Sequence, residues 1–241
     1  MATDPSSSLP ASHAEAAERS WLAARLAAAD TAAVRWSART GEVLVWLLAA
    51  NIVLAAAGVG FGLLLFDDAA LWFRELMPGT LLSAGHMLAA AVAARALHRR
   101  DPSQRRWYES FWGLSAALLA GLAAVELAQP TVFLSHWLRD AHAVRAPEGI
   151  SDVDGLLVTL LLAGVVATLA PRALVLLRYP RALALFGGAA LLAATSQFID
   201  ATARVSEWEF VVEDGAKALA GPFLLAGYLA ALHACERRRA G

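Results

Sequence analysis

From Val43 onward, the apolar residues come in long, nearly unbroken runs separated by short polar connections. They show neither the alternation of a half-buried strand nor the single apolar stripe of a water-soluble helix. The runs fall near Val43–Phe66, Gly79–Leu97, Phe111–Ala128, Val153–Ala170, Arg181–Asp200 and Val211–His233. A hydrocarbon layer about 30 Å thick takes about 20 helical residues, and each run has that length. The pattern predicts an all-α, polytopic membrane protein, a bundle of six transmembrane helices over residues 43–233. The fourth run is expected to extend toward Leu177 with a bend at Pro171.

The flanks read differently. Residues 1–42 form an N-terminal tail whose first ten residues are rich in Ser and Pro. Residues 11–39 are alanine-rich and lack Gly and Pro, which favours helix. Leu22, Leu26, Ala29, Ala33 and Trp36 recur at helical spacing beside Arg19, Arg25, Arg35 and Arg39. That is the seam of an amphipathic helix, suited to an anionic membrane face or a partner helix; an ordinary solvated helix would read the same way. Residues 234–241 make a short basic tail. In the longest connection, 129–152, Phe133, Trp137, Ala141 and Val144 repeat at helical spacing, with His136 and Asp140 one turn apart. This segment is expected to lie along the membrane surface. Two ligands do not make a metal site.

Composition narrows the class. The chain of 241 residues is 59% hydrophobic and 17% charged, with a mean hydropathy of +0.54. Those values disfavour a water-soluble enzyme. A net charge of −1 gives no field to attract nucleic acid. One cysteine, Cys235, excludes an internal disulfide and a multi-thiolate zinc site. The arginines are unevenly placed: fourteen flank the ends of the runs that share a side with both termini, and four flank the other ends. Positive residues stay inside, so both termini are expected in the cytoplasm. Trp46, Trp107 and Trp112 would mark the inner interface, and Trp72, Trp137 and Trp208 the outer one. Nineteen arginines to one lysine, with abundant alanine, point to a bacterial cytoplasmic (inner) membrane.

Candidate chemistry lies where polar residues enter these runs, because such groups are costly in a bilayer. Glu126 stands two residues from the end of the third run. His86 and Lys217 lie about 10 Å and about 9 Å inside theirs, counted from the same outer side. Glu213 and Asp214 flank Lys217 one turn earlier, Asp200 and Ser196 share a face with Gln197, and Thr159 lies early in the fourth run behind Asp152 and Asp154. The inner half offers chiefly Asn51 and Ser115. This asymmetry predicts an outward-facing polar cavity built from Glu126, His86, Lys217, Asp200, Ser196, Thr159, Glu213 and Asp214. Plainer roles exist for several: Lys217 pairing with Glu213 or Asp214, His86 hydrogen-bonded near Ser83, Asp200 as a solvated helix end.

The pattern favours a small transporter or channel-like protein in which Glu126 binds a proton or cation, His86 relays and Lys217 supplies the counter-charge. The alternative is a membrane subunit or scaffold with membrane-protein partners or a homo-oligomeric state. A lipid-acting intramembrane enzyme comes third, since no complete catalytic set is present. Ser115 and His86 fall at opposite ends of their helices and cannot form a dyad. No cofactor or metal is implied; histidines matched in depth for a bis-histidine haem are missing. Gly58 and Gly62, and the ridge Gly155, Thr159, Ala163 and Ala167, are expected to let helices approach closely.

Overall fold

The computed structural model describes residues 11–67, 78–101, 106, 108–129, 134, 137, 153–202 and 207–241. Among them every regular element is helical. The chain runs through α1 (Ala11–Ser37), α2 (Thr40–Phe66), α3 (Pro78–Arg100), α4 (Phe111–Ala128) and α5 (Val153–Leu169). A 3-10 stretch follows over Ala170–Arg178, then α6 (Pro180–Thr202) and α7 (Glu207–Ala240). Among the described residues six helices are long and apolar enough to cross a membrane, which is the make-up of a multi-pass membrane protein.

Local chemistry sets several boundaries. Ser110 caps α4 by accepting the Gly113 amide at 3.1 Å, and its hydroxyl also meets His98 Nδ1 at 3.0 Å. Asp67 and Gln129 close α2 and α4 in the left-handed conformation, φ 54° and 47°. Pro171 has no amide hydrogen and cannot continue the α-ladder. The chain answers with a nine-residue 3-10 stretch instead of a simple bend, an unusual length for that geometry.

The centre of the bundle is α3 and α7, flanked by α4 and α6. α3 can be central because it presents Ala90, Ala93, Ala94, Ala96 and Leu97, all fully buried, so neighbouring backbones come close. α6 and α7 interlock reciprocally. The Phe223 ring lies over Gly188, and the Phe186 ring over Gly227, where an added Cβ would stand 2.6 Å from the ring. α2 and α5 are peripheral. α2 buries only a stripe of Asn51, Gly58 and Gly62 and packs chiefly against α7, as the glycine spacing predicts. The expected ridge on α5 is a correction: Thr159, Ala163 and Ala167 are exposed, so that face is not buried against a neighbouring helix among the described residues.

Two further expectations are corrected. Trp112 is not an interfacial anchor; it is fully buried. Its ring makes edge contacts with Phe111, Tyr179 and Tyr228 at 4.9–6.0 Å. Its indole N–H donates to Asp101 at 3.3 Å, the partner a buried tryptophan needs. Nor is the arginine-rich end poor in polar groups. Asp101, itself buried, also accepts from the Tyr179 hydroxyl at 3.4 Å. Arg238 stacks over the Tyr179 ring at 4.9 Å and donates to the Arg178 carbonyl. Arg100 and Glu236 form a charge contact of 2.7 Å between α3 and α7.

α1 is bound to this end as well. Its buried Asp30 receives Arg95 at 3.1 and 3.3 Å and Arg99 at 2.8 Å, one turn apart on α3. Of the expected seam, Leu26, Ala29 and Ala33 are partly buried, whereas Leu22 and Trp36 are exposed. The docking face is centred on Asp30 and Ser37, not on the seam's aromatic end.

Candidate functional site

The site lies at the end of the bundle opposite the arginines. α4 runs from the capped Ser110 toward that end and delivers Glu126 in its last turn. α7 begins there and carries Lys217 in its third turn. The two meet: Lys217 Nζ stands 3.1 Å from Glu126 Oε1. The charges of Asp214 and Glu213 also act on Lys217. Lys217 therefore pairs with an acid on another helix rather than only with its own neighbours. The Glu126 side chain is 17% exposed and that of Lys217 42%, so the pair is reached from outside the bundle mainly along the lysine.

His86 sits one turn deeper. It comes from α3, is 5% exposed, and packs on Gly221, which is one helical turn beyond Lys217 on the same face of α7. An added Cβ at Gly221 would stand 2.9 Å from His86 Nδ1 and 3.0 Å from its Cβ. Glycine is what lets the imidazole occupy that notch. Nδ1 is buried and has no hydrogen-bond partner, so the expected local bond is not made there. An orphaned buried nitrogen is costly and is uncommon in a purely structural histidine.

Ser196, on α6, is also buried with an unpartnered hydroxyl. Thr159 donates to Gln197 at 3.1 Å, tying α5 to α6 on an exposed face. The structure thus brings Glu126, Lys217 and His86 together on α4, α7 and α3, with Glu213 and Asp214 acting electrostatically on the lysine. It forms a separate pairing from Thr159. The side chains of Asp200, Asp152 and Asp154, and residues His136 and Asp140, lie outside what is described.

No group of three His, Cys, Asp or Glu among the described residues could hold a metal ion. The chemistry available is proton exchange and charge pairing. Gly221 went unrecognised in the sequence, although a glycine one turn from an intramembrane lysine was a readable signal. No protein-family model matches the chain, and neither a curated protein nor a solved structure shows significant similarity to it.

Proposed function

We propose that this is a small transporter or channel-like membrane protein whose site, built from Glu126, Lys217 and His86, takes up a proton or a small cation. The observation that carries the reading is the 3.1 Å Lys217–Glu126 pair set above a buried imidazole with an orphaned nitrogen. A cation or proton arriving at Glu126 competes with Lys217 for the carboxylate, and a neutral His86 below it can accept a proton and pass it on. Ser196 on α6 and Glu213 and Asp214 beside Lys217 complete the polar lining in this reading. The arginine distribution supports cytoplasmic termini, so the site would open outward from a bacterial inner membrane.

The test is flux through liposomes containing the full chain, read with an enclosed pH dye under imposed Na⁺, K⁺ and H⁺ gradients. Wild type should exceed protein-free vesicles, and Glu126→Gln should lose at least about tenfold, the scale of one essential ionisable group. Equal flux in both proteins would remove Glu126 from the mechanism, and flux no greater than in empty vesicles would remove transport. A second reading, a subunit of a larger membrane complex, is favoured by the exposed small-residue face of Thr159, Ala163 and Ala167 on α5. A stoichiometric partner retained in mild detergent would support it.

A further inference from the structure

α1 has two faces with different surroundings. Asp30, Ser37 and the partly buried Ala33 and Val34 turn toward the bundle, held by the fork of Arg95 and Arg99. On the opposite side of the same helix, by its 3.6-residue period, stand Trp21, Arg25, Arg35 and Trp36, and Arg39 follows in the turn that leads to α2. All five are exposed, Trp21 at 59% and Trp36 at 57%, and the Arg25 guanidinium lies over the Trp21 ring at 5.2 Å. Between residues 21 and 39 the single acid is Asp30, and it is spent on the docking face. From Trp21 onward the outward face is therefore cationic and aromatic, with Ala28 and Ala32 between the large side chains and the exposed Glu18 one turn before Trp21.

Its position is also fixed. α2, the first span, begins at Thr40, three residues after α1 ends, and Trp46 is 75% exposed on its second turn. Trp36 and Arg39 thus stand where the chain enters the apolar layer. Tryptophan and arginine there match the headgroup region, where the ring sits at the boundary and the guanidinium meets phosphate in a two-toothed bond.

We propose that the outward face of α1 binds the headgroups of anionic phospholipids, with the Asp30–Arg95–Arg99 fork holding the helix at the angle that presents Arg25, Arg35 and Arg39 to them. The fork distinguishes this from a loose amphipathic helix, which would bury its apolar seam in lipid; here most of the seam faces protein. A protein partner with an acidic surface is the competing occupant, and the charge-neutral lipid contact of an ordinary anchor is the other.

The full chain in detergent is titrated with phosphatidylglycerol or phosphatidylcholine, and retained lipid is read by native mass spectrometry. Wild type should retain phosphatidylglycerol in preference. The triple variant Arg25→Gln, Arg35→Gln, Arg39→Gln should weaken that retention by up to on the order of 100-fold, since each surface arginine contributes roughly fivefold. Trp21→Ala with Trp36→Ala, which leaves the charge intact, should weaken both lipids alike and rules out misfolding caused by charge loss. Equal retention of phosphatidylglycerol by wild type and the triple variant would overturn the proposal. So would loss, in the triple variant, of a protein co-purified from native membranes while phosphatidylglycerol retention stays unchanged.

Discussion

The two ends of the bundle both hold polar groups inside an apolar protein, and they differ in how far those groups are linked across helices. At the arginine-rich end Asp101 accepts from both Trp112 and Tyr179, Ser110 meets His98 and caps α4, and Asp30 takes two arginines. These are cross-linked groups, and such links fix helices in place, although Asn51 Oδ1 and Ser115 Oγ on the same half are buried without a hydrogen-bond partner. At the opposite end Lys217 and Glu126 form one partly accessible ion pair, and His86 Nδ1 has no partner. A half-satisfied polar site destabilises its fold and calls for another explanation. In the proposed reading the first end is architecture and the second carries the chemistry.

Trp112→Ala should break the comparison hardest. It deletes a fully buried ring and removes one of the donors to Asp101, and should cost about 3–5 kcal/mol of stability. Thermal melting in detergent checks this; a loss below about 1 kcal/mol would mean the arginine-rich end is not the structural one.

Gly221→Ala probes the other end. The new Cβ would crowd His86 at 2.9–3.1 Å, so the imidazole must move, at a stability cost of about 1–3 kcal/mol. The expected signature is a change in flux per folded molecule larger than the fold's loss explains. Unchanged flux would make the notch a packing detail.

Tyr179→Phe is the mildest change and sharpens the electrostatics. Burial first, and then the Asp101 charge, push the Tyr179 hydroxyl up to about 12 from 10. The folded state therefore keeps a proton that the unfolded chain releases. The associated stability is fully present below about pH 10 and is lost as pH rises toward 12, by at most about 2–3 kcal/mol. Wild type should show this alkaline loss and Tyr179→Phe should lack it, with about 1 kcal/mol less stability at neutral pH. Parallel pH–melting curves for the two proteins would show that Tyr179 does not titrate in this way.

The helices were legible in the sequence because span length and apolar composition are local properties. Residues 43–66 or 111–128 carry them without reference to anything else. The joins between helices were not. Asp30 meets Arg95 across 65 residues, and Tyr179 meets Asp101 across 78. A charged residue near a helix end looks solvated until the fold shows what faces it. Trp112 misled for the same reason: a tryptophan near the end of a span resembles an interfacial anchor, and only packing with Tyr179 and Tyr228 reveals a core residue. The pairing of Glu126 with Lys217 was within reach because helix direction and depth are themselves local counts.

The division of labour between the ends is tested most directly by one paired measurement, melting temperature together with flux per folded molecule, made on Glu126→Gln and Asp101→Asn. Glu126→Gln keeps the side chain's shape and removes its charge; it should melt within a few degrees of wild type while flux falls at least about tenfold. Asp101→Asn weakens two buried hydrogen bonds and should lower the melting temperature, with flux per folded molecule retained. If Glu126→Gln keeps its flux, or if Asp101→Asn abolishes flux without loss of stability, chemistry and architecture are not divided between the two ends.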